Sequence, residues 1–234
     1  MEFEIIKAVR TSSPVSIFIE GESGSGKTYS ALLMARGLAG PDGKIGIIDT
    51  EGGRSLIYAD DKEIGGFEYM AFTAPYSPAR FIQAIDAAIA DGWKVIVIDS
   101  ASLEHDGEGG LIEMAENESA SGKNSMQKWI KPKFEHKKFL NHSVGLPAHI
   151  IMCFRQTITT DFSAKPPASI MSTVAEKNTK FVMEIHCTIT ADHKAHWSRI
   201  PKPYAHCVEQ DSLITIETGA KITGLSYPLN DFKR

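Results

Sequence analysis

No stretch of the 234-residue sequence approaches the roughly 20 consecutive apolar residues of a membrane-spanning helix, and Met1-Glu-Phe-Glu-Ile-Ile6 has no basic region leading into an apolar one. Both absences point to a cytoplasmic protein with no membrane partner. Cysteine is scarce as well. Cys153, Cys187 and Cys207 are odd in number and far apart, which suits reduced thiols better than a disulfide framework or a zinc site. Positive charge is not in surplus: 25 Lys and Arg stand against 29 Asp and Glu, a formal net charge of −4. Nothing therefore draws the whole molecule to nucleic acid, and any such binding has to come from a local patch. Internal repeats and low-complexity tracts are also missing, which removes solenoid and linker architectures. With 42% hydrophobic residues the chain can fill one well-packed core, and its length favours a single domain over 1–234.

What the sequence does contain is Gly21-Glu22-Ser23-Gly24-Ser25-Gly26-Lys27-Thr28. This fits G-x-x-x-x-G-K-[ST], in which successive backbone N–H groups wrap the phosphates of a nucleotide. The glycines supply backbone dihedrals closed to residues with a Cβ. Lys27 reaches the β and γ phosphates in this pattern, Thr28 holds Mg²⁺, and Tyr29 follows at the start of the helix. The bare pattern occurs by chance in on the order of one such chain in a hundred, so context decides. Pro14 to Glu20 is a short apolar, β-branched run, and Thr28 to Leu38 is rich in Ala, Leu and Met at helical spacing. Strand, loop and helix follow in the required order, and the helix dipole adds attraction for phosphate.

Along the chain, residues 1–13 read as an edge strand or as an arm laid on a neighbouring subunit. Gly40 to Gly43 breaks the chain before a buried strand, Lys44 to Thr50. A further strand is expected over Phe67 to Thr73. Ser77-Pro78 has the form of an N-cap with proline at the first helical position, and that helix runs to about Asp91. Lys94 to Ser100 is an apolar strand ending in Asp99. Strands joined through a helix make right-handed parallel crossovers, and their repetition is the α/β signature. Residues 101–147 form a looser insertion of short helical pieces. His149 to Phe154 gives another core strand. Thr157 to Lys177 is polar, without periodicity and too long for an ordinary connection, so it reads as a mobile functional loop. Phe181 to Thr190 alternates as a strand, a basic aromatic turn follows through Trp197, and Ser212 to Glu217 is the last expected strand.

Asp99, at the end of an apolar strand, is the natural second half of the nucleotide site, because its carboxylate can orient water on the Mg²⁺ that Thr28 binds. Hydrolysis also needs a base near the γ phosphate. Glu51 follows the second strand at the edge where parallel sheets place their ligands, and Asp49 is its rival.

Taken in order, Gly21 to Thr28, Ile47-Ile-Asp-Thr-Glu51, Val95-Ile-Val-Ile-Asp-Ser100, Ile151-Met-Cys-Phe-Arg-Gln156 and Asn178-Thr-Lys-Phe181 resemble the core of RecA-type recombinases. More closely, the chain resembles the RecA-core ATPases of bacteriophages that act as single-strand annealing proteins. The resemblance implies an α/β, RecA-like P-loop NTPase core: a mostly parallel central sheet flanked by helices, with antiparallel C-terminal strands. It implies ATP and Mg²⁺ as ligands, Glu51 as activator of the attacking water, and Gln156 as a sensor of the γ phosphate. The segment 157–177 then becomes a loop binding single-stranded DNA, with Arg155 and Lys165 as candidate contacts. The Lys180-Phe181 pair falls at the subunit interface of a homo-oligomer, ring or filament, and Lys194, Arg199 and Lys202 are further cations for a neighbour's site. The compartment is then a host cytoplasm.

Support for DNA binding apart from the resemblance lies in Lys123 to Lys138. Six lysines (123, 128, 131, 133, 137 and 138) face one acid within that window, Glu135, with Trp129 and Phe134 between them. Ammonium groups can track phosphates while aromatic faces stack on bases. The alternative is a solvated helical face with both aromatics turned to the core. The histidines of His193-Lys-Ala-His-Trp-Ser-Arg199 lack metal spacing and read as surface or interface groups.

Overall fold

The structure, a computed structural model, describes Lys7 and residues 13–161, 163 and 165–224. The arm expected over residues 1–13 thus lies, apart from Lys7 and Ser13, outside the described residues.

Six strands form a parallel sheet: β1 (Ser16–Gly21), β2 (Ile45–Asp49), β3 (Glu68–Ala71), β4 (Val95–Asp99), β5 (His149–Asp161) and β7 (Ile185–Ile189). Between the last two in sequence, β6 (Ala168–Thr173) pairs only with the outer half of β5. Two antiparallel strands, β8 (Lys194–Arg199) and β9 (Ser212–Leu213), close the C-terminal side, giving the spatial order β3-β2-β4-β5-β1-β7-β8-β9. The helices are α1 (Lys27–Ala39), α2 (Pro78–Ala90), α3 (Leu103–Asp106), α4 (Leu111–Ala120), α5 (Ile130–Val144), α6 (Thr179–Val182) and α7 (Ile216–Thr223). The α/β class, the mostly parallel sheet and the antiparallel C-terminal strands are as expected from the sequence.

The central strands are buried on both faces, which is why they read as unbroken apolar runs. The pleat sends alternate residues to opposite layers. Ile17, Ile19, Ile47, Val95, Val97 and Ile151 pack with α1 and α7. Phe18, Ile48, Ile96, Ile98, Ile150 and Met152 pack with α2 and α5. Phe18 stacks on Phe154 with ring centroids 4.2 Å apart, and each such side chain contributes about 1.5–3 kcal/mol on leaving water. Buried Arg36 in α1 donates to the carbonyls of Gly40, Pro41, Gly43, Ile64 and Gly66 at 2.7–3.2 Å, so one guanidinium ties two loops to the helix.

Several expectations require correction. Residues 157–177 are not an irregular loop: β5 continues to Asp161 and turns back as β6, with Ile158 opposite Met171 in a hairpin. Threonines and β-branched residues that show no apolar period suit a ribbon exposed on both faces, where no core imposes one. The basic aromatic turn through Trp197 is instead the strand β8, its Ala195 and Trp197 alternating inward. Phe181 belongs to the short helix α6, and the following strand starts at Ile185. The last expected strand shrinks to Ser212–Leu213, because Thr215 and Thr218 form a reciprocal capping box that starts α7. That helix crosses α1 where Gly37 meets Gly219. A Cβ on Gly37 would lie 2.0 Å from the Ile216 carbonyl oxygen, so only glycine allows the approach.

Candidate active site

The ends of β1, β2 and β4 lie level at one edge of the sheet. Asp49 is the register partner of Asp99, and Gly21 lies between Arg155 and Ile189. At this edge the chain after β1 turns through Gly24 (φ +82°) and Gly26 (φ +90°), left-handed values that glycine adopts without strain, and enters α1 at Lys27. The ammonium of Lys27 donates to the Gly21 carbonyl at 3.0 Å and to the Glu22 carbonyl at 2.7 Å, folding the side chain along the loop. Thr28 Oγ1 donates to Asp99 Oδ2 at 2.5 Å. Burial pushes the Asp99 carboxyl up to about 6. The Thr28 hydrogen bond and the Lys27 charge oppose that rise, and the Glu51 and Asp49 charges add to it. A buried carboxylate with a threonine hydroxyl against it is the oxygen donor set that Mg²⁺ takes. The Ser25 hydroxyl is buried at the loop's centre and makes no hydrogen bond among the described residues, the condition of a polar group whose partner is a ligand. These residues fit a nucleotide and its cation.

Thr50 fastens β2 to β4. Its N–H donates to the Asp99 carbonyl at 2.9 Å, and its hydroxyl accepts the Ser100 N–H at 2.7 Å while donating to the Ser100 carbonyl at 3.0 Å. Asp49 then organises the turn that follows. One of its oxygens accepts the N–H groups of Glu51 (2.7 Å) and Gly53 (3.3 Å), and the other accepts the N–H (3.2 Å) and hydroxyl (2.5 Å) of Ser55. With both oxygens engaged, Asp49 is a buried scaffold for the turn. The Glu51 carboxylate has one polar partner among the described residues, Arg54 at 3.5 Å. Asp49 followed by Glu51-Gly-Gly carried an Asx-turn signal that could have revealed this role.

Of the interface candidates Lys180, Phe181, Lys194, Arg199 and Lys202, the structure brings Arg199 to the Lys180-Phe181 pair. Arg199 donates to the Lys180 and Phe181 carbonyls at 3.3 and 3.4 Å, and Phe181 is 76% exposed. Lys180 pairs within its own chain with buried Glu20 at 2.6 Å. Glu20 also accepts the hydroxyls of Thr188, at 3.0 Å, and of Thr173 at the root of the hairpin. Lys194 pairs with Asp192 at 3.0 Å, and Lys202 is exposed in the short 3-10 helix Lys202–Cys207. Gln156 stands opposite Thr173 where β5 leaves the sheet. Arg155 is held by Asp106 at 2.8 Å, and Lys165 is exposed at the hairpin tip.

The lysine patch looks different in three dimensions. Lys123 and Lys131 both pair with Glu118, Lys133 with Glu176, and Lys138 with Glu135. Glu118 and Glu176 lie outside the window in which only Glu135 was counted. Lys128 and Lys137 have no ion pair among the described residues. The aromatics are not both turned inward: Phe134 is 58% exposed under the Lys138 ammonium, and Trp129 is half-buried. Sequence reading also passed over Tyr58, whose ring lies 5.2 Å from that of Tyr29 beside the loop. Tyr29 in turn donates to Asp61 at 3.3 Å and to Glu63 at 3.5 Å, and burial, with the charge of these two acids, pushes its hydroxyl up to about 12.

The AAA domain family matches residues 13–211, from the strand that leads into the loop to β8 and beyond. The chain belongs to the AAA domain family. Within the matched AAA domain lie the loop at Gly21–Thr28 and the strand ending in Asp99. A solved structure of a KaiC-like protein, PH0186 from Pyrococcus horikoshii OT3, is similar at 12% identity and a TM-score of 0.47, covering 85% of this chain and 90% of that one. No curated protein sequence matches the chain. Among the described residues no helix is long and apolar enough to cross a membrane.

Proposed function

We propose that this AAA domain protein binds and hydrolyses ATP with Mg²⁺ at the Gly21–Thr28 site, assembles as a homo-oligomer, and acts on single-stranded DNA in phage-type annealing or recombination. The observation that carries the reading is the convergence at one sheet edge of the loop, the Thr28–Asp99 pair and the turn that presents Glu51. Backbone N–H groups of residues 24–28 bind the phosphates, and Lys27 swings from the loop carbonyls to the β and γ oxygens. Thr28 and Asp99 would hold Mg²⁺, which supplies neutralisation of the charge that develops between the β and γ phosphates. Glu51, paired only with Arg54 among the described residues, orients the attacking water and takes its proton. Exposed Phe181 with Lys180 and Arg199 supports an interface through which a neighbour completes the site. Gln156, one strand from the loop and at the root of the hairpin, supports a link from the γ phosphate to 157–177, where DNA would lie.

Four paired lysines, beside Met126 (83% exposed) and Ile130 (68% exposed), favour a second reading, in which the same ATPase acts as a loader or motor on a protein or duplex partner. A third is an ATP-gated assembly module with little turnover. The ATPase rate with and without single-stranded DNA, across a salt series, separates them. Stimulation with steep salt dependence is the expected result. Turnover indifferent to DNA supports the second reading, and assembly on ATP without turnover the third. Lys27→Ala is expected to abolish nucleotide binding, measured by titration with ATP, and undiminished binding would refute the assignment of the loop.

A further inference from the structure

The turn between β7 and β8 reaches over the phosphate loop from a distant part of the chain. His193 Nδ1 lies 2.9 Å from the Ser25 carbonyl oxygen, and since a carbonyl only accepts, Nδ1 carries the proton and donates. The imidazole also covers Gly26: a Cβ there would meet Nδ1 at 3.0 Å, with two further ring atoms within 4 Å. His193 holds this position at φ +66°, a left-handed value that few non-glycine residues adopt and that histidine, asparagine and aspartate adopt most readily. Its turn is well tied. The His193 N–H donates to the Thr190 carbonyl at 2.9 Å, the Thr190 N–H to the Lys194 carbonyl at 2.9 Å, and the Thr190 hydroxyl to Asp192 at 2.6 Å.

The consequence follows from peptide geometry. In a trans peptide the C=O and the next N–H point in opposite directions. A Ser25 carbonyl held outward by another element therefore turns the Gly26 N–H to the inner side of the loop, where the pattern requires donors for phosphate. This peptide needs holding. Gly24 and Gly26 both sit at positive φ, and glycine on either side of Ser25 makes rotation of the peptide plane inexpensive. We propose that His193 is a positioning residue for nucleotide binding, acting through the Ser25–Gly26 peptide to preset the Gly26 N–H for a phosphate. This rests on reading the loop as the nucleotide site. Because that phosphate is bound in ground and transition states alike, the effect belongs in affinity and not in the chemical step.

The test is titration of ADP and of Mg·ATP, with steady-state ATPase, on the parent, Lys27→Ala, His193→Gly, His193→Ala and His193→Asn. Glycine accepts the left-handed backbone and keeps the turn, so its effect reports loss of the imidazole, its hydrogen bond and its cover over Gly26, and the asparagine variant isolates the hydrogen bond. Asparagine accepts the same backbone and keeps a side-chain donor. His193→Gly and His193→Ala are expected to raise Kd and KM about tenfold with kcat changed less than about threefold, and His193→Asn to bind within about threefold of the parent. Parental affinity in His193→Gly, or no rescue by asparagine, would overturn the proposal while leaving the site reading intact. A parent that binds no nucleotide, or binds it no better than Lys27→Ala does, overturns both.

Discussion

Asp49 and Glu51 stand two residues apart at the end of one strand, and the difference in their surroundings assigns them different work. Asp49 is buried and accepts four donors from its own turn, whereas the Glu51 carboxylate, among the described residues, pairs with Arg54 alone. For Asp49→Asn we expect the turn to loosen, because the amide would set a donor against the Ser55 N–H. Stability should drop by about 1–3 kcal/mol and turnover about tenfold, with ATP affinity nearly kept; thermal unfolding and steady-state kinetics check this, and unchanged turnover would remove Asp49 from the support of Glu51. The sequence named Gly21–Thr28, Asp99 and Glu51 because each is a short pattern in a readable strand context. It left Asp49 as a rival base, since a carboxylate's partners cannot be read from its neighbours in the chain. His193 was out of reach for the same reason, its contact with Ser25 spanning 168 residues.

At the scale of elements, the central strands were legible because burial on both faces leaves an unbroken apolar run, while pieces lacking that pressure were misread. The β5–β6 ribbon has no core face to impose a period. Helix α7 was hidden because Ile214 and Ile216 continue the alternation of Ser212–Leu213 past the Thr215 cap. Two predictions belong here. Arg36→Met would remove a buried donor from five carbonyls, of which, among the described residues, Gly40 alone keeps a second, the Gly43 N–H, and a loss of about 3–5 kcal/mol is expected in chemical denaturation. At the start of β5, His149 accepts the Val15 N–H at 3.0 Å, and burial lowers its pKa to about 4. The unfolded chain takes up that proton near 6.5 and the folded protein only near 4. The contribution of His149 is therefore fully present above about pH 6.5 and fades as pH falls toward 4, on the order of 2 kcal/mol for a partly accessible ring. His149→Asn should flatten that part of the pH–stability curve, and an unaltered curve would count against the assignment.

Over the whole molecule, the sheet gathers residues from β1, β2, β4 and β5 at one edge, with the β5–β6 hairpin leaving the sheet from the same edge. Glu20, beside the loop, joins Thr173, Lys180 and Thr188, so the loop, the hairpin root and the expected interface share one buried carboxylate. Surface charge was the least legible feature. Glu118 and Glu176, distant in the chain from some of the lysines they meet, cancel much of the patch that a linear count made strongly basic. The central claim is that this edge hydrolyses ATP and that Glu51 performs the step. The most direct test is to measure Mg·ATP affinity and single-turnover hydrolysis for the parent and Glu51→Gln side by side. The account predicts affinity within about threefold and hydrolysis slowed at least about 100-fold in Glu51→Gln. Equal hydrolysis by the two proteins would contradict it.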